Sequence, residues 1–272
     1  MLRAQNLTVR IGATTLLADV SCTLRPGELV AVLGCNGAGK STLLGAVCGD
    51  LRFQGGSVHL NERALRDYRM VDLARIRAVM PQSVQLGFPF QAHEVVALGR
   101  MPFNEPRART REAVRQCMAL TETAHLQTQV YPTLSGGEKQ RVQLARVLSQ
   151  LWPFAPDQRQ YLFLDEATAS LDPLHQQQVF SLARQLATRG LGVMAVVHDI
   201  NLASQFADRV LVLRQGRLLA EGTPQAILTP ELIAEAFSGL RVQCTPDALT
   251  GQPWVLPLRD QPLPRLGEAL AD

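Results

Sequence analysis

The sequence predicts an α/β fold with a parallel-sheet core, an N-terminal antiparallel β subdomain and an inserted α-helical subdomain. The first thirty residues alternate apolar and polar side chains, as in LTVRIG and LLADVSCTL, which is typical of antiparallel strands. Three later segments, LVAVLG, YLFLDE and VMAVVHD, are apolar almost throughout and indicate strands buried on both faces. Helical patterns fall between the last two, and strands that alternate with helices indicate parallel crossovers.

Composition and charge argue against several classes of protein, namely nucleic-acid-binding, membrane-spanning and secreted proteins. The chain has 272 residues and a formal net charge of +3, without a long Lys/Arg run, which argues against electrostatic capture of nucleic acid. No apolar run approaches the roughly 18 residues that a membrane span needs. The N-terminal MLRAQNLTVR lacks the pattern of a secretory signal. We therefore expect a protein that stays in the cytosol and reaches a membrane only through partners.

The pattern along the chain predicts how the elements are arranged. A helix is expected over Lys40–Cys48, ended by Gly49. EVVALGR and REAVRQCMAL have helical apolar spacing, and they place the helical subdomain at about 83–155. The tail over 241–272 contains five prolines, so we expect it to be extended and lightly packed.

The stretch AVLGCNGAGKSTLL fits the phosphate-loop pattern G-x-x-x-x-G-K-[ST], between a buried strand and a helix. Glycines let successive N–H groups turn toward an anion, and the helix N-terminus adds its positive end. A chance match in a Gly-rich turn is the alternative. The pattern predicts a P-loop NTPase core in which Lys40 reaches the β- and γ-phosphates and Ser41 binds Mg²⁺. The predicted ATP-binding residues of this loop are Gly34, Cys35, Asn36, Gly37, Ala38, Gly39, Lys40, Ser41 and Thr42.

A second motif, YLFLDE, delivers two carboxylates to the carboxyl end of a buried strand, where open parallel sheets bind ligands. Asp165 is predicted to orient Mg²⁺ through water. Glu166 is predicted to act as the general base for an attacking water, a role worth roughly 10²–10⁴ in rate. Alternatively, the pair is only a solvated strand end.

The stretch LSGGEKQR decides which kind of phosphate-loop protein this is, because here the sequence resembles the ATP-binding-cassette (ABC) family. Six elements follow one another in the family's order over about residues 1–225, and one ABC ATPase domain is expected over 1–240. The six are the loop at 34–41, MPQ with Gln82, LSGGE at 134–138, LFLDE at 162–166, SLD with Asp172 and VVHD with His198.

The resemblance implies roles for the remaining site residues. Ser135, Gly136 and Gly137 cap the γ-phosphate of a nucleotide bound by a second copy of the chain, so two copies enclose two ATP molecules. His198 contacts the γ-phosphate and holds the attacking water. Gln82 touches Mg²⁺ or that water, and Asp172 belongs to the same nucleotide-binding set.

The resemblance also implies transport. FPFQAHEVVALGRMPF is similar to the branch that imports iron chelates, haem and cobalamin, and the chain looks closest to haem-importer ATPase subunits. A ferric-siderophore or cobalamin importer is the alternative cargo assignment. The alternative class is a soluble ABC ATPase of translation or DNA repair. Such proteins usually carry two cassettes or a long coiled-coil insertion, and neither pattern is found here.

The implied partners are a second copy of the chain, two transmembrane permease subunits and, indirectly, a periplasmic substrate-binding protein. Neither nucleic acid nor direct contact with the cargo is expected. The implied location is the cytoplasmic face of the bacterial inner membrane, with the chain as a peripheral subunit.

Two positions are unusual. Ile11 stands where the family usually has an aromatic residue for adenine stacking, and residues 1–30 contain no aromatic residue. Arg10 offers a guanidinium face instead, and we expect poor discrimination between ATP and GTP.

Cys35 lies within the anion-binding loop, where N–H dipoles and Lys40 are expected to favour a thiolate. The alternative is that Cys35 is only a small residue that fills a tolerant loop position.

Overall fold

The computed structural model describes residues 1–82, 86–155, 158–167 and 171–258. These residues form two main β-sheets with helices packed around them, which confirms the predicted α/β fold. Within the described ranges, no helix is both long and apolar enough to cross a membrane.

An antiparallel sheet contains the N-terminal strands, as the alternating pattern predicts. Its order is β2-β1-β4-β5. Along β1, Leu2 and Ala4 are buried while Arg3 between them is exposed, because successive side chains point to opposite faces. A register shift between Ala4 and Leu7 then brings Leu7 and Val9 to the buried face. The strands are β1 (Leu2–Ile11), β2 (Thr14–Leu24), β4 (Gly55–Leu60) and β5 (Arg63–Ala64).

The core sheet has six strands in the order β10-β9-β3-β8-β7-β6, and neighbouring strands are parallel except at β10, which is antiparallel to β9. Every residue of β3 and β8 is buried, in agreement with their apolar sequences. The carboxyl ends of β3, β8, β7 and β6 therefore meet at one edge. The strands are β3 (Leu29–Leu33), β6 (Arg77–Met80), β7 (Tyr161–Asp165), β8 (Gly192–Val196), β9 (Arg209–Arg214) and β10 (Arg217–Gly222).

Helices cover the core sheet and form a separate layer between β6 and β7 in the chain. The first helix begins at Lys40 and ends at Gly49, whose φ of +89° is left-handed, so this predicted boundary is confirmed. The layer consists of α3, α4 and α5, packed around the fully buried Val95, Cys117 and Leu148. The helices are α1 (Lys40–Cys48), α2 (Met70–Ile76), α3 (Ala92–Ala97), α4 (Arg107–Leu120), α5 (Gly136–Leu151), α6 (Pro173–Thr188), α7 (Ile200–Phe206), α8 (Pro224–Ile227) and α9 (Pro230–Ala236). The expected start of this segment, residues 83–85, lies outside the described residues.

The described part of the tail, which the sequence predicts to be extended and lightly packed, is a β-hairpin with two buried residues. Strands β11 (Val242–Pro246) and β12 (Pro253–Pro257) pair antiparallel. Val242 and Val255 are buried, since alternate strand residues face the domain. The prolines lie at the strand ends, where a missing N–H costs least. Residues 259–272 lie outside the described residues.

Candidate functional site

The phosphate loop joins β3 to α1, and its backbone needs glycine at two points. Gly34 has φ +148°, and a Cβ there would lie 2.3 Å from the carbonyl oxygen of Leu213. Gly39 has φ +101°, and a Cβ there would lie 2.9 Å from the Leu17 side chain. These close approaches let the loop curl over the N-terminus of α1, where free N–H groups favour an anion.

Lys40 is buried beneath the loop and is 5% exposed. Its Nζ donates hydrogen bonds to the carbonyl oxygens of Gly34, at 2.9 Å, and Cys35, at 3.0 Å. Burial lowers the pKa of Lys40, and the negative charges of Glu166 and Asp165 partly oppose that shift. A desolvated cation held in this way is suited to meet phosphate oxygens.

An oxygen pair lies beside the lysine. Ser41 follows Lys40 on α1, and its Oγ donates a 2.8 Å hydrogen bond to Oδ1 of Asp165, the last residue of β7. Burial raises the pKa of Asp165, an effect that the hydrogen bond from Ser41 partly offsets. Hydroxyl and carboxylate oxygens are the donors that hard divalent cations prefer, so this pair could hold a metal ion.

Glu166 lies at the centre of a cluster formed at three strand ends. Its carboxylate accepts a 2.6 Å hydrogen bond from Gln82 Nε2, and His198 Nε2 lies 2.7 Å from its other oxygen. Glu166 has φ +48°, a left-handed conformation that costs free energy for a residue with a side chain. Gln82 follows β6, Glu166 follows β7 and His198 follows β8, so the order of the parallel strands brings them together.

Lys40, Ser41, Gln82, Glu166 and His198 line one open cleft of about 380 Å³, within the roughly 300–1,000 Å³ typical of ligand sites. It brings together most of the predicted phosphate-loop side chains with Glu166, His198 and Gln82. Leu16, on β2, also lines the cleft, and the sequence analysis missed it because its alternating strand pattern carries no ligand signal. The lining residues are Leu16, Asn36, Gly37, Gly39, Lys40, Ser41, Thr42, Gln82, Glu166 and His198.

The thiol of Cys35 lies elsewhere, contrary to the expectation of a thiolate inside the anion-binding loop. Its Sγ donates to the carbonyl oxygen of Ala236, at 3.2 Å, and lies 3.9 Å from Oγ of Ser238. Both partners lie at or just after the C-terminal end of α9. Cys35 is not among the residues that line the cleft, and with Ala236 and Ser238 it lines a separate pocket.

Eight predicted site residues are not among those that line the cleft of this chain: Gly34, Cys35, Ala38 and Asp165, and the four at the starts of α5 and α6, which are Ser135, Gly136, Gly137 and Asp172. Ser135 caps α5: its Oγ accepts from the Glu138 N–H at 3.4 Å, and the Glu138 carboxylate accepts from the Ser135 N–H at 2.8 Å. Gly136 and Gly137 form the first turn of α5. Asp172 caps α6 and accepts hydrogen bonds from the backbone and ring of His175.

A buried lysine, a helix N-terminus and an oxygen pair at one strand edge suit a ligand with several phosphate groups. The fold and the site together therefore define a nucleotide-binding protein of the phosphate-loop class. The sequence model of the ABC transporter family matches residues 17–169, more than half of the chain. The chain belongs to the ABC transporter family, as the resemblance indicates.

Curated relatives cover essentially the whole chain. A protein of Gloeobacter violaceus named hemin import ATP-binding protein HmuV is 46% identical over 100% of this chain and 99% of its own length. A protein of the same name from Pseudomonas aeruginosa is 46% identical over 94% of this chain and 99% of its own length.

Solved structures share the fold. One is a metal-chelate type ABC transporter in an inward-facing conformation, 26% identical, with a TM-score of 0.76 over 94% of this chain and 96% of that chain. Another is a dimeric bacterial ABC transporter cassette, 26% identical, with a TM-score of 0.72 over 82% of this chain and 98% of that chain. The chain is therefore an ABC ATPase, which binds and hydrolyses ATP.

Proposed function

We propose that this chain is the ATP-hydrolysing subunit of an ABC importer for haem, and that it works as a dimer that encloses two ATP molecules. The observation that carries the chemistry is the carboxylate of Glu166, held between Gln82 and His198 above the phosphate loop. The cargo is inferred from the relatives that are named hemin import ATP-binding proteins.

The nucleotide is bound through its phosphates. The loop N–H groups of residues 34–39 and the N-terminus of α1 surround the β- and γ-phosphates, while Lys40 supplies a buried positive charge. Binding an anion next to Lys40 offsets the desolvation that lowers the pKa of its ammonium group. Thr42, also in the lining, follows Ser41 on α1 and lies near the same phosphates.

Three residues fit a Mg²⁺ ion. Ser41 Oγ and Asp165 Oδ1 are already 2.8 Å apart, and the Gln82 amide oxygen is of the same chemical type in the same cleft. Ser41, Gln82 and Asp165 would hold the ion, directly or through water. When bound, Mg²⁺ neutralises the negative charge that develops on the phosphates.

Hydrolysis uses the cluster at the strand ends. Glu166 accepts a proton from water as the water oxygen bonds to the γ-phosphorus and the bond to the bridging oxygen of ADP breaks. His198, 46% exposed and 2.7 Å from Glu166, faces the cleft and holds the water and the γ-phosphate in line. Gln82 holds the second carboxylate oxygen of Glu166 by its hydrogen bond, so the carboxylate keeps one orientation toward the water.

The dimer completes each site. Ser135, Gly136 and Gly137 form a helix N-terminus away from the chain's own cleft, so they meet the nucleotide of a second copy. Asp172, at the N-terminus of α6, belongs to the same facing surface. The structural neighbour that is a dimeric cassette supports this arrangement.

The assembly requires other subunits. We propose two transmembrane permease subunits above the cassette dimer and a periplasmic binding protein that delivers haem to them. The chain then lies on the cytoplasmic face of the inner membrane and touches neither haem nor nucleic acid. Closure of the dimer on ATP would move the permease subunits between their two states.

The cargo can be tested by growth. We expect that deleting the gene in its host abolishes growth on haem as sole iron source, and that a plasmid copy restores it. Restoration should fail with Glu166→Gln. Growth on inorganic iron is the control and should not change. Normal growth on haem, together with lost growth on a ferric siderophore or a lost response to cobalamin, would instead support the alternative cargoes.

Base discrimination is expected to be poor. Ile11 is 61% exposed and aliphatic, and Leu16 is the apolar residue of the cleft lining, so no aromatic ring stacks on the base from these positions. Such stacking is worth about 1–3 kcal/mol per base. We expect KM values for ATP and GTP within about tenfold of each other, and Ile11→Tyr should lower both. Values separated by two orders of magnitude would contradict this prediction.

A further inference from the structure

Helix α7 begins two residues after His198, and its position determines where that histidine can reach. Asp199 caps the helix, accepting hydrogen bonds from the N–H groups of Asn201, at 2.7 Å, and Leu202, at 3.3 Å. The linker between β8 and α7 is only three residues long, so a shift of the helix is transmitted directly to His198.

The inner side of α7 packs against the core through apolar contacts. Leu202 and Ala203 are 7% and 1% exposed, and the ring of Phe206 stacks on Phe180 of α6 with centroids 5.9 Å apart. These contacts are apolar and lack direction, so they allow the helix to slide or rotate about its axis.

The outer side of α7 is held by directional bonds from the C-terminal hairpin. The Asn201 amide donates to the carbonyl oxygen of Val255 at 3.0 Å and accepts from the Val255 N–H at 2.8 Å. The side chain therefore pairs with β12 as a neighbouring strand would. One turn later, Ser204 Oγ donates a 2.6 Å hydrogen bond to the carbonyl oxygen of Pro253.

The spacing of these hydrogen bonds matches one face of α7 to one edge of β12. Asn201 and Ser204 are three residues apart on α7, and their partners Val255 and Pro253 are two residues apart on β12. Ser204 is 1% exposed, so leaving either member of its bond unpaired would be costly. The hairpin itself is anchored through the buried Val255 and Val242.

From this geometry we infer that Asn201 is a positioning residue for ATP hydrolysis: by clamping α7 to the C-terminal hairpin, it holds His198 against Glu166. The inference rests on the proposed function, in which His198 and Glu166 act on the attacking water. The hairpin thereby becomes part of the catalytic support, although it contributes no group to the cleft lining.

The test is a double-mutant cycle on the purified full-length protein. A misplacement of about 1 Å can cost up to roughly 10²-fold in rate, so we expect Asn201→Ala to lower kcat about tenfold. The dissociation constant of ATP should stay within about twofold, since Lys40 and the loop are unchanged. In a His198→Ala background, Asn201→Ala should cause no further loss, because the residue acts through His198.

Trp254→Ala is the matched control, because Trp254 lies on the opposite face of β12 from Val255 and is 44% exposed; its kcat should equal that of the wild type. Two results would overturn the inference. One is a wild-type kcat in Asn201→Ala, and the other is a fold-loss of kcat on Asn201→Ala that is the same in the His198→Ala background as in the wild type. A wild-type kcat in His198→Ala would instead contradict the proposed role of His198. If Asn201→Ala lowers the melting temperature and lowers kcat by the same factor in both backgrounds, its role is merely structural, and this result also overturns the inference.

Discussion

Replacing Glu166 with Gln is expected to lower kcat for ATP by roughly 10²–10⁴-fold, the usual contribution of a general base. The amide is nearly the same size as the carboxylate but cannot take a proton from water. Its oxygen can still accept one of the two hydrogen bonds that Gln82 and His198 make with Glu166, so the cluster should keep its shape. The variant should still bind ATP but should not hydrolyse it, so we expect it to accumulate as a closed dimer with ATP bound.

Three measurements on the same preparation check this result. Single-turnover hydrolysis gives the rate, equilibrium binding of a fluorescent ATP analogue gives the affinity, and light scattering gives the mass with and without MgATP. Glu62→Gln is the control, since Glu62 lies in the turn between β4 and β5 with its side chain 91% exposed, and this variant should retain full activity. Rapid turnover in Glu166→Gln would disprove the role of Glu166 as base.

Local features of this fold could be predicted because their causes are local. The buried strands are visible as apolar runs, and the end of α1 follows from Gly49, whose left-handed φ suits glycine. The start of α5 also has a local cause, the capping box formed by Ser135 and Glu138 three residues apart, although the sequence analysis did not use it. Each of these signals is complete within a few neighbouring residues.

The arrangement of the site depends on the order of strands, which no short window contains. Strand β6 has only four residues, RAVM, and the sequence analysis did not identify it. Its pairing with β7 nevertheless places Gln82 beside Glu166, 84 residues apart in the chain. Motif order suggested that Gln82 contacts Mg²⁺ or water, but it could not show that the amide binds the carboxylate of Glu166.

The structure of the C-terminal tail also depends on contacts between residues that are far apart in the sequence. Its prolines indicated an extended segment, and the described part is extended, but the sequence did not show that its two strands pair as a hairpin with Val242 and Val255 buried. The partner that stabilises the hairpin, Asn201, lies 54 residues earlier than Val255. Side-chain pairing over such distances has no periodic signature, and the same holds for the Cys35 thiol, whose acceptor Ala236 is 201 residues away.

Introducing a carboxylate at the start of α5 is expected to abolish hydrolysis by acting on the partner copy. Gly136 is the first residue of that helix, and a Cβ added there meets nothing within 4 Å. Gly136→Asp should therefore leave the folded chain intact. In the dimer, the new negative charge would face the γ-phosphate bound by the other copy, where the helix N-terminus otherwise attracts it. We expect at least a 10²-fold loss of kcat, comparable to removal of an oxyanion-stabilising donor.

The single chain should still bind ATP, because its own loop and Lys40 are unaltered. Combined with Glu166→Gln, Gly136→Asp should prevent the ATP-dependent dimer from forming, as seen by light scattering. Gly87→Asp introduces the same charge at another glycine with open space around it and should leave both the dimer and the rate unchanged. If Gly136→Asp hydrolysed ATP normally, the nucleotide would have to be enclosed by one chain alone, and the proposed sandwich would be wrong.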